Sequence, residues 1–149
     1  MWAVETTAGT RPTSGYTELK NIESIPENNP QPEMLDTTVL SETEQRTGIP
    51  GLKGMADNMA LVANATNETY TAWDAFVTAA QALTGGKQAW LCIQTPNLTN
   101  CTYMQGMPSP KGSSAYEVNS VLKTNLYFAP SGAPVFAAAP TATQSGTNP

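Results

Sequence analysis

Side chains that commonly carry out catalysis are sparse in this chain. There is no His, so a Ser or Cys nucleophile would lack an imidazole base. Glu42 and Glu44 are close together, but their polar surroundings favour a solvated acidic loop over a general acid–base pair. Cys92 and Cys101 alone are too few to hold a usual zinc site. We therefore expect no catalytic residues, no cofactor and no metal.

The two cysteines flank a predicted hairpin turn at 94–99 and could face each other across it. A disulfide and a pair of buried thiols are both compatible with this spacing. The first residues, MWAVETTAGTR, contain neither a basic region nor an apolar run of the kind that begins a secretory signal. We therefore expect a chain made in the cytoplasm, where buried free thiols are the favoured interpretation.

The bulk composition suits one β-rich domain over residues 1–149. Charged residues make up 13% of the chain, about half of the roughly 25% typical of globular proteins. The formal net charge is −5, from 7 basic and 12 acidic residues, so the chain lacks the excess of basic residues that is typical of nucleic-acid-binding proteins. No apolar run is long enough to cross a membrane, and we expect no membrane partner.

Hydrophobic periodicity predicts a mainly β fold with one α-helix. The helix is expected at about 69–83, with Asn67 or Thr69 as its N-cap and Gly85-Gly86 as its end. Its apolar residues recur at spacings of three and four, which places one face against a sheet. These residues are Trp73, Phe76, Val77, Ala80 and Leu83. Strands are expected at 16–25, 35–40, 58–66, 87–95, 101–107 and 115–128. The predicted architecture is a β-sandwich or barrel-forming sheet flanked by the helix, within a core at 16–129.

Three segments are expected to lie outside that core. The longest is an inter-strand arm at 41–57, which combines a polar stretch with isolated apolar residues. Loops of this length are uncommon in compact domains and are often functional, so we interpret it as an assembly loop. The other two are an N-terminal arm at 1–15, whose Trp2 should enter a pocket on its own or a neighbouring subunit, and a C-terminal extension at 130–149.

The run IPENNPQPEMLDTTVLSETEQRTGIPGL resembles the major tail tube proteins of phages with long, non-contractile tails. In that family an Ile-Pro-acidic start leads to Pro-Glu, then to a Leu-Asp-Thr-Thr-x-Leu strand and an acidic loop ending in Ile-Pro-Gly. The matching positions here are Ile25-Pro26-Glu27, Pro32-Glu33, Leu35-Asp36-Thr37-Thr38, Leu40 and Ile49-Pro50-Gly51. They span about a fifth of the chain. The chain departs from the pattern in having few charges after Gly51 and a Pro/Ala/Thr-rich C-terminus.

The resemblance implies a structural virion protein made in the bacterial host. Its subunits would form hexameric rings that stack into a tail tube, with the sheets of one ring joined into a barrel. Other tail proteins (tape measure, terminator and distal tail proteins) would meet the tube ends, and phage DNA would pass through the lumen without specific binding. The residues expected at subunit and ring contacts are Trp2, Leu35, Asp36, Thr38, Leu40, Glu42, Glu44, Arg46, Ile49, Pro50, Gly51, Leu52 and Met55.

A lumen-facing surface is expected on the polar side of the 115–128 strand. Tyr116, Val118, Leu122, Leu126 and Phe128 alternate with polar residues and should face the core. The opposite side would carry Glu117, Asn119, Lys123 and Asn125. Of these, we expect Lys123 to be paired with a carboxylate or displaced to a subunit seam, because an unpaired ring of ammonium groups would attract phosphate. The competing hypothesis is a secreted or surface-displayed β-sandwich that binds a partner as an adhesin-like module.

Overall fold

The computed structural model describes residues 1–29, 32–39, 45, 47–53, 58–116 and 118–141. Nine strands and one helix lie within this part of the chain. They are β1 (Trp2–Val4), β2 (Ile22–Ser24), β3 (Pro32–Asp36), β4 (Gly48–Lys53), β5 (Met59–Asn64), α1 (Asn67–Gln81), β6 (Ala89–Ile93), β7 (Asn100–Pro108), β8 (Lys123–Pro130) and β9 (Val135–Ala138). The predicted class, mainly β with one helix, is confirmed.

Seven of the strands form one sheet, with the order β1-β6-β7-β8-β5-β2 and with β9 added beside β7. Every described strand pair is antiparallel. One edge of β7 pairs with β6. The other edge pairs with β9 at Asn100–Tyr103 and with β8 at Gly106–Pro108. The sheet curls into a half-barrel.

Gly106 lies in β7 opposite Pro130 of β8. A Cβ atom added there would lie 2.2 Å from the carbonyl oxygen of Ala129, well inside van der Waals contact. Only glycine lets the two backbones approach this closely.

Helix α1 covers one face of the sheet, as its periodicity predicts. Thr66 is the N-cap, and its side chain accepts a hydrogen bond from the Thr69 backbone N–H at 3.2 Å. The prediction of Asn67 or Thr69 as the cap was therefore wrong, because Asn67 is already the first helical residue. The chain leaves the helix at Ala82 and passes through Gly85 and Gly86, both with positive φ.

The main core lies between α1 and the sheet. Trp73 and Phe76 are fully buried and pack edge to face, with ring centroids 5.5 Å apart. Phe76 also stacks on Phe128 of β8 and on Trp2 of β1. The residues of β5 alternate between buried and partly buried, and Met59, Leu61 and Ala63 are the buried ones. Trp2 therefore packs in the core of its own subunit.

A second, smaller core lies on the opposite face of β6 and β7. Its buried members are Ala3, Tyr16, Trp90, Cys92, Cys101 and Tyr103. Both cysteines are unbridged thiols, which confirms the favoured interpretation. Burial, followed by the neighbouring Cys101, raises the pKa of Cys92 to about 11, so the thiol is neutral at physiological pH.

A buried carboxylate ties this second core to the N-terminal strand. Glu5 accepts hydrogen bonds from the Trp90 indole N–H at 2.8 Å, from the Gln88 backbone N–H at 3.1 Å and from the Gly9 backbone N–H at 2.9 Å. Three donors offset the cost of removing the carboxylate from water.

Several predicted elements differ from the observed ones. The 16–25 strand is reduced to β2 and an isolated bridge between Thr17 and Trp2. Residues 1–15 are not a free arm, because β1 pairs with β6, and the 130–149 extension contributes β9 to the sheet. The 35–40 strand is shifted to β3, and 41–57 is not a plain loop, because it contains β4. The predicted 58–66, 87–95 and 101–107 strands correspond to β5, β6 and β7.

The 115–128 strand was also too long. β8 begins only at Lys123, and Asn119 lies in a turn with a φ of 63°. Leu126 and Phe128 face the core as predicted, whereas Tyr116 and Val118 are exposed rather than buried. Glu117 lies outside the described residues.

Candidate assembly surface

Strands β3 and β4 form a separate two-stranded hairpin, here called the β3–β4 hairpin. Leu35 pairs with Ile49 and Met34 with Pro50, with a register shift between Pro32 and Met34. In the described part of the chain, each strand's extensive contacts are with the other strand of the hairpin. The hairpin therefore projects from the half-barrel instead of packing on it.

Large apolar side chains of the hairpin lie in solvent. Every residue of β3 is exposed, and Leu52 of β4 has 91% of its surface accessible. Met34 is 63% exposed, and Leu35 and Ile49 are each about half exposed. Opposed residues of a ladder share a face and successive residues alternate, so Leu35 and Ile49 lie on one side and Met34 on the other. The hairpin thus presents apolar groups on both faces.

The end of the hairpin is held by a small hydrogen-bond network. The Asp36 carboxylate accepts from the Thr38 hydroxyl and from the Thr38 backbone N–H, the latter at 2.9 Å. The Thr38 hydroxyl oxygen in turn accepts from the Thr47 backbone N–H at 3.0 Å. The side-chain hydrogen bond from Thr38, followed by the backbone one, lowers the pKa of Asp36 below its usual value. These bonds hold the two strands together where β3 ends.

Strand β2 forms an open edge of the main sheet. It is the last strand in the order and, among the described residues, is hydrogen-bonded as a strand to β5 alone. The other end of the sheet is partly covered, because the backbones of Trp2 and Thr17 exchange two hydrogen bonds of 2.8 Å. An open edge can accept a strand from another chain.

An apolar groove, here called the β2–β6 groove, opens beside this edge. It comprises two adjoining cavities of about 350 and 640 Å³. Because β2 and β6 are not neighbours in the sheet, the space between them is not closed by a hydrogen-bonded ladder. Its apolar lining comes from Leu19, Ile22, Ile25, Met59, Leu61, Leu91, Ile93, Met104 and Phe136. The charged side chains that line it are carboxylates, Glu18, Glu23 and Glu27.

Two of the residues expected in the lumen share the open face of β8. Lys123 and Asn125 are exposed and alternate with the buried Thr124 and Leu126. The Lys123 ammonium group lies 2.7 Å from a Glu23 carboxylate oxygen, so its expected pairing with a carboxylate is confirmed. Asn119 is not on this strand.

The predicted contact residues are only partly brought together. The hairpin carries Leu35, Asp36, Thr38, Ile49, Pro50, Gly51 and Leu52. The Trp2 side chain stacks on Phe76 of its own chain at 4.9 Å, which is one of the two placements expected for it. Leu40, Glu42, Glu44, Arg46 and Met55 lie outside the described residues. Sequence reasoning missed Met34 and the β2–β6 groove, although the apolar Leu19, Ile22 and Ile25 were visible in the sequence.

No protein-family model matches the chain, and no curated protein matches it. Within the described residues, no helix is long and apolar enough to span a bilayer. Nor do three His, Cys, Asp or Glu side chains of the described part come together as a metal site would require.

Proposed function

We propose that this chain is the structural subunit of a phage tail tube, in which hexameric rings stack into a conduit for DNA. The observation that carries the proposal is the β3–β4 hairpin, a projecting ribbon with exposed apolar groups on both faces. Large apolar patches on a protein surface commonly mark a site where a partner binds. The β3–β4 hairpin also contains three parts of the motif that resembles the tail tube family, namely Pro32-Glu33, Leu35-Asp36 and Ile49-Pro50-Gly51.

The main sheet supplies a second requirement of an assembling subunit. A half-barrel with an open edge at β2 leaves backbone donors and acceptors unpaired within the described chain. Contacts between unlike surfaces of identical subunits generate rings when the rotation closes, and helical stacks when it does not. In a tube of stacked rings, one kind of contact closes each ring and another kind joins successive rings.

Charge is compatible with a conduit. On the open face of β8, Lys123 is compensated by Glu23, so the described pair adds no net positive charge. The chain as a whole carries −5. A surface without excess positive charge gives DNA phosphates no counterion-releasing sites to bind, so DNA would slide past it.

Negative-stain electron microscopy of the purified protein tests the proposal. We expect rings or tubes from the wild-type chain and none from Leu52→Asp, because the substitution would place a charge in a buried subunit contact. Val118→Asp is the matched control, since Val118 is 92% exposed and lies outside the hairpin. Thermal unfolding should be the same for both variants. Compact single particles from the wild-type protein at every concentration would reject the tube and favour a monomeric binding module.

A further inference from the structure

The β3–β4 hairpin has two outer edges, and an unpaired edge can accept a strand from another chain. We propose that Pro50 blocks strand addition at the outer edge of β4. Copies of this chain are thereby restricted to the apolar faces of the hairpin and do not pair along its edge. The inference rests on the proposed function for the presence of neighbouring copies, and on the hydrogen-bond pattern of the hairpin for the role of the proline.

The hydrogen-bond pattern of the hairpin sets the direction of the Pro50 backbone. The Thr37 backbone N–H donates to the Thr47 carbonyl oxygen at 2.8 Å, so these two residues occupy a hydrogen-bonded position of the ladder. In an antiparallel ladder such positions alternate with positions whose backbone groups point away from the partner strand. Met34 and Pro50 lie opposite each other three positions further along, which is a position of the second kind. The nitrogen of Pro50 therefore faces the outer edge of β4.

At this position a proline removes the donor that an added strand would need. Proline has no backbone N–H, and its ring occupies the side from which a partner strand would approach. Gly48 and Leu52 are the flanking outward positions of β4, so the missing donor lies between them. Pro50 itself is exposed, as is usual for a proline in an edge strand.

The outer edge of β3 is closed in another way. Thr38, just beyond the end of β3, is also at an outward position, and its backbone N–H already donates to the Asp36 carboxylate at 2.9 Å. Glu33 and Asp36 add two exposed carboxylates to this strand. Charged side chains and prolines are among the means by which natural proteins keep edge strands from pairing. Residues 48–52 carry no charge, so on β4 the proline has the role that the carboxylates have on β3.

Without the proline, β4 would have the properties of an edge that aggregates. Ile49 is about half exposed and Leu52 is 91% exposed, and an exposed apolar edge strand readily pairs with other chains. Such pairing would compete with the contacts that order the copies in the proposed assembly. The block acts in the plane of the ladder, so the apolar side chains above and below that plane stay available.

Replacing Pro50 by a residue with a backbone N–H tests the inference on the full chain. Pro50→Thr supplies the missing donor and a side chain that favours strands, and Pro50→Ala supplies the donor alone. Pro110→Thr is the matched control, because Pro110 is exposed and lies outside the strands. Circular dichroism first establishes that each variant is folded. Sedimentation velocity is then measured below the concentration at which the wild-type protein assembles.

We expect Pro50→Thr to self-associate at least ten times more tightly than the wild type, with Pro50→Ala between them and Pro110→Thr equal to the wild type. Amide hydrogen exchange locates the new contact. The amide introduced at position 50 should be protected in the associated protein and should exchange freely after dilution.

The outcomes separate this inference from the proposed function. Self-association of both Pro50 variants equal to that of the wild type would overturn the block and leave the tube intact. Association without protection at position 50 would overturn the edge of β4 as the site. Wild-type protein that never assembles rejects the tube, whereas a gain of association by Pro50→Thr over that monomer still supports the block.

Discussion

Replacing Trp73 by alanine should remove the centre of the main core. The side chain is fully buried, packs edge to face on Phe76, and donates its indole N–H to the Ser109 carbonyl oxygen at 2.9 Å. A buried tryptophan removes about 150–250 Å² from water, and about 25 cal/mol per Å² gives roughly 4–6 kcal/mol. Measured Trp-to-Ala changes in cores cost about 3–5 kcal/mol, and we adopt this range.

Urea unfolding followed by far-UV circular dichroism measures this change. The free energy of unfolding should fall by about 3–5 kcal/mol, a large share of the roughly 5–15 kcal/mol typical of a domain. Trp73→Phe is the matched control: it keeps an aromatic ring and loses the hydrogen bond to Ser109, so the loss should be about 1–3 kcal/mol. If Trp73→Ala lowers the free energy by less than about 1 kcal/mol, the proposed packing of α1 on the sheet is refuted.

Three further predictions address other parts of the fold. Gly106→Ala should destabilise the protein by about 1–3 kcal/mol in thermal unfolding, while Gly112→Ala, with open space around it, should not. Folding raises the pKa of Cys92, so the free energy of unfolding should fall as the pH rises from about 9 to about 11. Urea unfolding at a series of pH values measures this fall. A Cys92→Ala variant whose free energy of unfolding falls just as steeply with pH would contradict the prediction. Thr38→Val removes the hydroxyl donor and keeps the backbone N–H, so it should raise the Asp36 pKa in an NMR titration; an unchanged pKa would exclude the Thr38 hydroxyl as a cause.

Local sequence signals predicted the elements whose stability is local. The helix and β5 have clear apolar periods of 3.6 and 2, and each buries one face, so both were found within two residues at each end. The cap at Thr66 was missed by one residue because Thr66, Asn67 and Thr69 are all good capping residues. Capping preference alone does not choose among them.

The wrong strand predictions concern segments whose structure depends on residues far away in the sequence. β1 joins the sheet through β6, with Trp2 opposite Leu91, and nothing near Trp2 in the sequence indicates that partner. β4 contains Pro50 and two glycines, which have low strand propensity, and it becomes a strand because β3 pairs with it. The turn at Asn119 interrupts an alternating pattern that favours a strand, since asparagine tolerates positive φ.

The way the hairpin is joined to the half-barrel determines how the subunit responds to tension. A pull on the hairpin reaches the body along the chain at Asn29 and Asn58. The strand that follows Asn58 is β5, which pairs with β8 over six positions. The strand that precedes Asn29 is β2, which pairs with β5 at only two positions and with a shifted register. β2 should therefore peel away first while the core stays closed. In single-molecule pulling through residue 52, an initial rupture that releases all of β5 would contradict this order.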